Sequence, residues 1–308
     1  MKKSVWFLET RPQFLLLDVV LVLHAGGLAF WRQGSIDWLR FALCMLGLVL
    51  LNASVNVLND WHDWEKSGID KETPRTPFSG GSGLLPAGAM DARSALKLGV
   101  GLLVAGSAIG FYLVWDTWYL YGTAWPLLII GLAGAFMVAA YTPLLAKTGL
   151  GEIIAGLGAG ALPVVAAYWV LTGRLDTVAW VSSIPAFLLT YNLLLINEFP
   201  DAEADAKGGR IHMVTLLGKQ RARWLYAAVE IGTYAAIVVG VVAGVLTPWA
   251  LLGLAAGFFA FQAIRGAITG YDSMEKIVPA MGANVVSVLG TNTLMAIGYL
   301  IAGLTAVR

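Results

Sequence analysis

Long apolar stretches separated by shorter polar ones organise this chain. Nine of them, near 13–31, 38–58, 94–114, 121–141, 150–171, 178–197, 224–245, 248–267 and 281–303, run for about 20 residues each. A helix of that length crosses a hydrocarbon core of about 30 Å with its backbone N–H and C=O groups bonded internally. The short alternating segments that a closed barrel would need do not occur in the pattern. The chain is therefore predicted to be all-α, a polytopic transmembrane bundle of nine helices forming a single domain over 1–308. Two polar segments, 59–93 and 198–223, are far longer than the other connections and follow the second and sixth spans. That interval of four spans suggests two similar halves.

Composition agrees, with 58% hydrophobic and 13% charged residues where soluble domains carry about 25% charged. The net charge of +1 gives no basic field for nucleic acid, and the single cysteine, Cys44, excludes an intrachain disulfide or a thiolate metal cluster. Lys2 and Lys3 are followed by Glu9 and Arg11 before the first apolar run, with no small-residue cleavage site, so the first helix is expected to stay in the mature protein. Placement of the basic residues sets the orientation. Alternating the spans leaves only Arg32, Arg40, Arg174 and Arg308 on one side and the other sixteen of the 20 Lys and Arg on the side of the N-terminus. The N-terminus and both long segments are thus expected in the cytoplasm, and the C-terminus outside.

The long segments carry the candidate chemistry. Asn56 and Asp60, and Asn59 and Asp63, are four apart, so each pair shares a helix face if the second span continues. Gly68 is expected to break the helix and let Asp70 fold back toward the same opening. The later segment contains Asn197, Glu198, Asp201, Glu203 and Asp205, with Asp201 and Asp205 again at helical spacing. Carboxylate and amide oxygens, without cysteine or suitably spaced histidine, favour a hard cation such as Mg²⁺. Two such clusters can hold a diphosphate between them, and Lys71, Arg75, Lys147, Lys207 and Arg210 are near in sequence to pair with it. Gly156, Gly158 and Gly160 read as a close helix contact.

The run Asn59-Asp60-Trp61-His62-Asp63 with Asp70, followed by Asp201-Ala-Glu-Ala-Asp205, resembles the UbiA superfamily of intramembrane prenyltransferases over most of the chain. The resemblance implies that Asn59, Asp63, Asp201 and Asp205 bind Mg²⁺ and a prenyl diphosphate. The third position of the first family motif is Ser67 here. The late Asp70, with the opening Tyr141-Thr-Pro and Gly149-Leu-Gly-Glu152, is similar to the branch that prenylates 1,4-dihydroxy-2-naphthoate for menaquinone, which adds Asp70 to the metal set.

The activity so implied is ionisation of an allylic diphosphate followed by attack of an aromatic carbon on the allylic cation. Arg75, Lys147, Lys207 and Arg210 are expected at the phosphates, with Asn56, Asp60 and Tyr141 in the substrate site, and Asp60 and Glu198 orienting ligands. Glu152 is expected to accept a proton or orient the acceptor, with weaker claims for Asp18 and Glu230. Trp61, Trp64, Tyr141, Tyr168, Tyr191 and Phe199 are possible cavity liners. His24, His62 and His212 receive no role. A terpene cyclase and an ion-coupled transporter are the rival readings; a transporter would place its acids at broken helices near the midplane.

Overall fold

The computed structural model describes residues 3–69 and 73–306. Among them the secondary structure is entirely helical, and eight helical segments are long and apolar enough to cross a membrane. A short helix, α1 (Lys3–Glu9), precedes α2 (Leu16–Gln33), α3 (Trp38–His62), α4 (Ala92–Tyr121), α5 (Trp125–Ala140), α6 (Gly151–Gly156), α7 (Leu162–Thr172), α8 (Thr177–Lys207), α9 (Met213–Leu217), α10 (Lys219–Val242), α11 (Gly257–Gly270) and α12 (Met274–Ala306). A π-helical turn joins α6 to α7 into one span, and a 3₁₀ stretch, Pro248–Ala256, completes the span of α11.

Local chemistry sets the ends. Asp37, Asp91 and Asp176 stand at the N-termini of α3, α4 and α8, where their carboxylates accept the N–H of Arg40, Ser94 and Ala179. Such acceptors satisfy N–H groups that the first turn leaves unpaired and favour the positive end of the helix dipole. Gly34, Gly122 and Gly173 end α2, α4 and α7 in the left-handed conformation that closes a C-terminus. Each of the nine apolar runs falls on a helical segment. The fourth differs from the rest: α5 has 16 residues, about 24 Å at 1.5 Å per residue, and falls short of the length of the other spans.

Two boundaries correct the sequence expectation and matter for function. The second span does not stop near 58: α3 runs to His62 and continues as a π-helical turn, Asp63–Ser67. The sixth does not stop near 197 but continues through Pro200 to Lys207. The acidic motifs therefore lie on helices, not in loops. Gly68, at φ +68°, ends the first extension as expected; Asp70 and Lys71 lie outside the described residues.

α3 packs along α4, and α12 along α2 and α11. Gly160 abuts α8 so closely that a Cβ would stand 2.6 Å from the Ala186 carbonyl oxygen, and Gly156 meets Phe187, which bears out the close-contact reading of the 156–160 glycines. Polar side chains join the helices elsewhere. His24 lies between Asn292 and Ser182 at 2.9 and 2.7 Å, and Glu230 accepts from Asn192 and Ser287, each at 2.8 Å. Buried ionisable groups in a membrane bundle need such partners, and these account for His24 and Glu230 as ties among α2, α8, α10 and α12.

Candidate active site

α3 and α8 converge on one end of a cavity of about 450 Å³. Its walls are apolar: Leu48 and Leu51 of α3, Ile109 of α4, Gly131 and Gly134 of α5, and Gly158 in the turn between α6 and α7. Its α3–α8 end is polar, lined by Asn56, Asn59, Asp60, Asp63, Asn197, Glu198, Asp201, Asp205, Arg210 and His212. The helical spacing of both motifs turns their carboxylates to this end.

Arg210 ties the two helices together. Its Nη2 donates to both Asp63 oxygens at 2.6 Å, its Nη1 to Asp205 Oδ1 at 3.1 Å, and Nη2 also reaches Asn59 Oδ1 at 3.4 Å. The backbone holds it there. Arg210 N–H donates to the Asp205 carbonyl, and Ile211 pairs with Ala146 and Gly149, which docks the 141–150 connection beside it. From that connection Thr142 Oγ1 donates to Asn59 Oδ1 at 2.7 Å, and Tyr141 lines the cavity.

A strap over the mouth supplies further contacts. Ser79 Oγ donates to Asp201 Oδ1 at 3.1 Å, and the Ser82 N–H donates to Asp60 Oδ2 at 2.6 Å. Gly81, at φ +74°, faces Asp60 so closely that a Cβ would lie 3.1 Å from Oδ1, so this approach requires glycine. Ser82 Oγ also donates to Glu9 at the end of α1. Arg11, a non-glycine residue at φ +52°, lies 3.9 Å from Asp60 and lines the cavity. Asp60 thus anchors the strap, and Asn56 donates to the Thr10 carbonyl.

Other expected residues fall elsewhere. Lys207 points to a separate cleft of about 300 Å³ with Glu203, Lys219, Tyr271 and Asp272, and Lys147 and Arg75 are exposed and are not among the residues lining the main cavity. Asp205 and Lys207 are two apart, about 200° around a helix, so the continued α8 aims them oppositely. Of the six aromatic candidates only Tyr141 lines the cavity. Trp61 and Trp64 pack with Leu85 and Met90, Tyr191 and Phe199 join the core beside α10 and α11, and Tyr168 donates to Asp176. Asp18 lines the cavity and accepts from Asn52. Glu152 does not line it; its Oε1 accepts the Met213 N–H at 2.6 Å.

Two residues without an assigned role enter the site. The buried Oδ1 of Asn197, four residues before Asp201, has no hydrogen-bond partner. His212 stands with Nδ1 3.3 Å from Glu198 and Nε2 3.4 Å from Asp205. Burial would pull both Arg210 and His212 down, but Asp63 and Asp205 hold the guanidinium above its ordinary value, and Asp205 and Glu198 push His212 up to about 9. Burial and then Glu198 raise the Tyr141 phenol above its usual range, so it stays protonated.

A histidine raised on folding stabilises the protein fully below its unfolded value, about 6.5, and loses that contribution as pH rises through about 9. The melting temperature of the metal-free protein in detergent should therefore fall between those limits, and by less in His212→Gln. Equal slopes in both proteins would refute the assignment.

Among the described residues the protein is an all-helical membrane bundle whose apolar cavity ends in two facing helices that carry carboxylates. The model of the UbiA prenyltransferase family matches residues 20–303, and the chain belongs to that family; it is a prenyltransferase. A 1,4-dihydroxy-2-naphthoate octaprenyltransferase of Bacillus subtilis is 29% identical over 98% of this chain and 94% of its own. Among solved structures, a digeranylgeranylglyceryl phosphate synthase superposes with TM-score 0.65 at 17% identity, covering 98% of this chain and 100% of the other. A UbiA homologue from Archaeoglobus fulgidus bound to GPP and Mg²⁺ does so with TM-score 0.58 at 16% identity, covering 98% and 99%.

The position of Lys207 gives a direct contrast with Arg210. Lys207→Ala should keep kcat/KM within about threefold of wild type, since it removes no charge from the cavity. A loss of a hundredfold in initial-rate measurements would return Lys207 to the site.

Proposed function

We propose that the protein transfers a polyprenyl group from an allylic diphosphate to a small aromatic acceptor of the 1,4-dihydroxy-2-naphthoate type, releasing diphosphate. The observation that carries this reading is the pairing of Asp63 and Asp205 through Arg210 at the polar end of an otherwise apolar cavity. The Bacillus subtilis relative named above supplies the acceptor class.

The residues present fit Mg²⁺. Their donors are all oxygen, the two helices already share one cation in Arg210, and Asn197 presents a buried amide oxygen without a partner. Asn59, Asp63, Asn197, Asp201 and Asp205 would hold the metal, with Asp70 added by the family resemblance. When bound, Mg²⁺ neutralises diphosphate oxygens and makes the diphosphate a better leaving group. The A. fulgidus homologue holds the same pairing of ion and prenyl diphosphate.

Arg210 passes from the carboxylates to the phosphate oxygens, which its planar fork can bind in pairs. The apolar walls take the polyprenyl tail and keep water from the allylic cation, so an aromatic carbon captures it. Tyr141, protonated at the polar end, is positioned to orient the acceptor. The proton lost from the attacked carbon leaves by the same end, which carries the lining carboxylates other than Asp18.

Purified protein given a long-chain allylic diphosphate should release diphosphate only when both Mg²⁺ and acceptor are present. Release without acceptor would instead favour a cyclase, and no release under any of these conditions would overturn the reading. The excess of basic residues also supports a topology with the N-terminus and the α3–α8 end in the cytoplasm. A cysteine at exposed Thr148, in a Cys44→Ala background, should react with an impermeant maleimide from the cytoplasmic face; reaction only from the opposite face would invert the topology.

A further inference from the structure

At and beside the polar end of the cavity, three residues form a cluster that the Mg²⁺ set named above leaves out. Glu152 at the start of α6, Glu198 on α8 and His212 before α9 each offer one ligand atom, and these atoms all lie within 4.8 Å of one another. The three side chains are 0%, 7% and 4% exposed. Glu152 Oε2 and Glu198 Oε2 are buried without a hydrogen bond, and the buried ring of His212 has no side-chain hydrogen-bond partner. Its one backbone contact is the Thr215 N–H, which caps α9 on the His212 side chain, while the nearest side-chain oxygens stand at ion-pair distance. Buried polar atoms are rarely left this way, and several facing one another call for an ion.

We propose that Glu152, Glu198 and His212 form a binding site for a divalent cation of the zinc class, separate from the Mg²⁺ set on the acidic motifs. One imidazole and two carboxylates suit Zn²⁺, Co²⁺ or Mn²⁺, whereas Mg²⁺ prefers oxygen ligands and retained water. The outer contacts already orient these ligands. The Met213 N–H fixes Glu152 Oε1 at 2.6 Å and leaves Oε2 for the ion. Asp205 Oδ2 faces His212 Nε2 at 3.4 Å, so Nε2 carries the hydrogen, and Nδ1, on the Glu198 side, would turn its lone pair from the Thr215 N–H to the ion. This carboxylate–histidine pairing is the usual support of a metal-bound imidazole. Zinc contacts of about 2 Å put neighbouring donors about 3–3.5 Å apart, which a closure of roughly 1 Å of flexible side chain supplies. The bound ion ties α6, α8 and the connection bearing Arg210 into one wall, independently of which acceptor the enzyme uses.

The test uses the whole protein in detergent, stripped with a chelator and dialysed against Co²⁺ or Zn²⁺ in the presence of excess Mg²⁺. The wild type should bind one Co²⁺ per chain with visible ligand-field bands, lose the bands to Zn²⁺, and melt at a higher temperature with Zn²⁺ than without. Glu152→Gln and His212→Gln should each lose this binding, whereas Asp201→Asn, which alters the Mg²⁺ set, should keep it. Failure of the wild type to bind under excess Mg²⁺ overturns the proposal whether or not the variants fold. So does binding lost in Asp201→Asn but kept in Glu152→Gln, because the ion would then belong to the acidic motifs. Each result is read without turnover, so it stands apart from the outcome for prenyl transfer.

Discussion

Asp63→Asn should lower kcat for prenyl transfer by about 10²–10³, the usual cost of removing one preorganised electrostatic contact at a developing charge. The amide keeps the shape of the side chain and removes the charge that both Arg210 and a hard cation require. Asp201→Asn should act similarly from the opposite helix, because its carboxylate is held by Ser79 and not by Arg210 and is therefore available to a metal. Both variants should remain folded, since Arg210 keeps Asp205 when Asp63 loses its charge, and Asn at 201 can still accept the Ser79 hydroxyl. Initial rates at several Mg²⁺ concentrations check this: rates near wild type at limiting Mg²⁺ in both variants would show that the two helices do not share the diphosphate.

Arg210→Gln should be costly twice over. It leaves Asp63 and Asp205, both buried, facing each other without their common cation, and breaking a buried pair from one side costs about 3–5 kcal/mol. It also removes the fork proposed to follow the diphosphate, so activity should fall by at least about 10². A particular signature separates this from general damage. Mg²⁺ should raise the melting temperature of Arg210→Gln by more than it raises that of the wild type, because the ion no longer competes with a guanidinium for the same oxygens. Arg210→Lys should restore part of the stability and little of the rate, since an ammonium is a point charge and cannot span both carboxylates as a planar fork does. Equal Mg²⁺ shifts in the wild type and Arg210→Gln would contradict the placement of the metal between α3 and α8.

The acidic half of this site was legible because a helix repeats every 3.6 residues. Asn59 with Asp63 and Asp201 with Asp205 carry their spacing in the chain itself, and the structure brings all four to one cavity end. The same periodicity would have moved Lys207 away from the site had α8 been extended past Asn197, and would have put Trp61 on the far side of α3 from Asn59. Ending the spans where hydropathy drops hid both facts, since a helix anchored in a bundle can run on through a polar segment. Glu198 is expected from the sequence only to orient ligands, yet it is three residues from Asp201 and lines the same cavity end. Ser79, Ser82, Thr142 and His212 could not be read from spacing: backbone pairing of Ile211 with Ala146 and Gly149 brings in Thr142 and His212, and the side chains of Asp201 and Asp60 hold Ser79 and Ser82.

The account stands most directly on the identity of the product. Purified protein in lipid, supplied with Mg²⁺, a long-chain allylic diphosphate and 1,4-dihydroxy-2-naphthoate, should yield by mass spectrometry an acceptor that has gained the prenyl group, in step with diphosphate released. Release of diphosphate with the naphthoate recovered unmodified, and the prenyl chain found as an alcohol or a cyclised hydrocarbon, would contradict it.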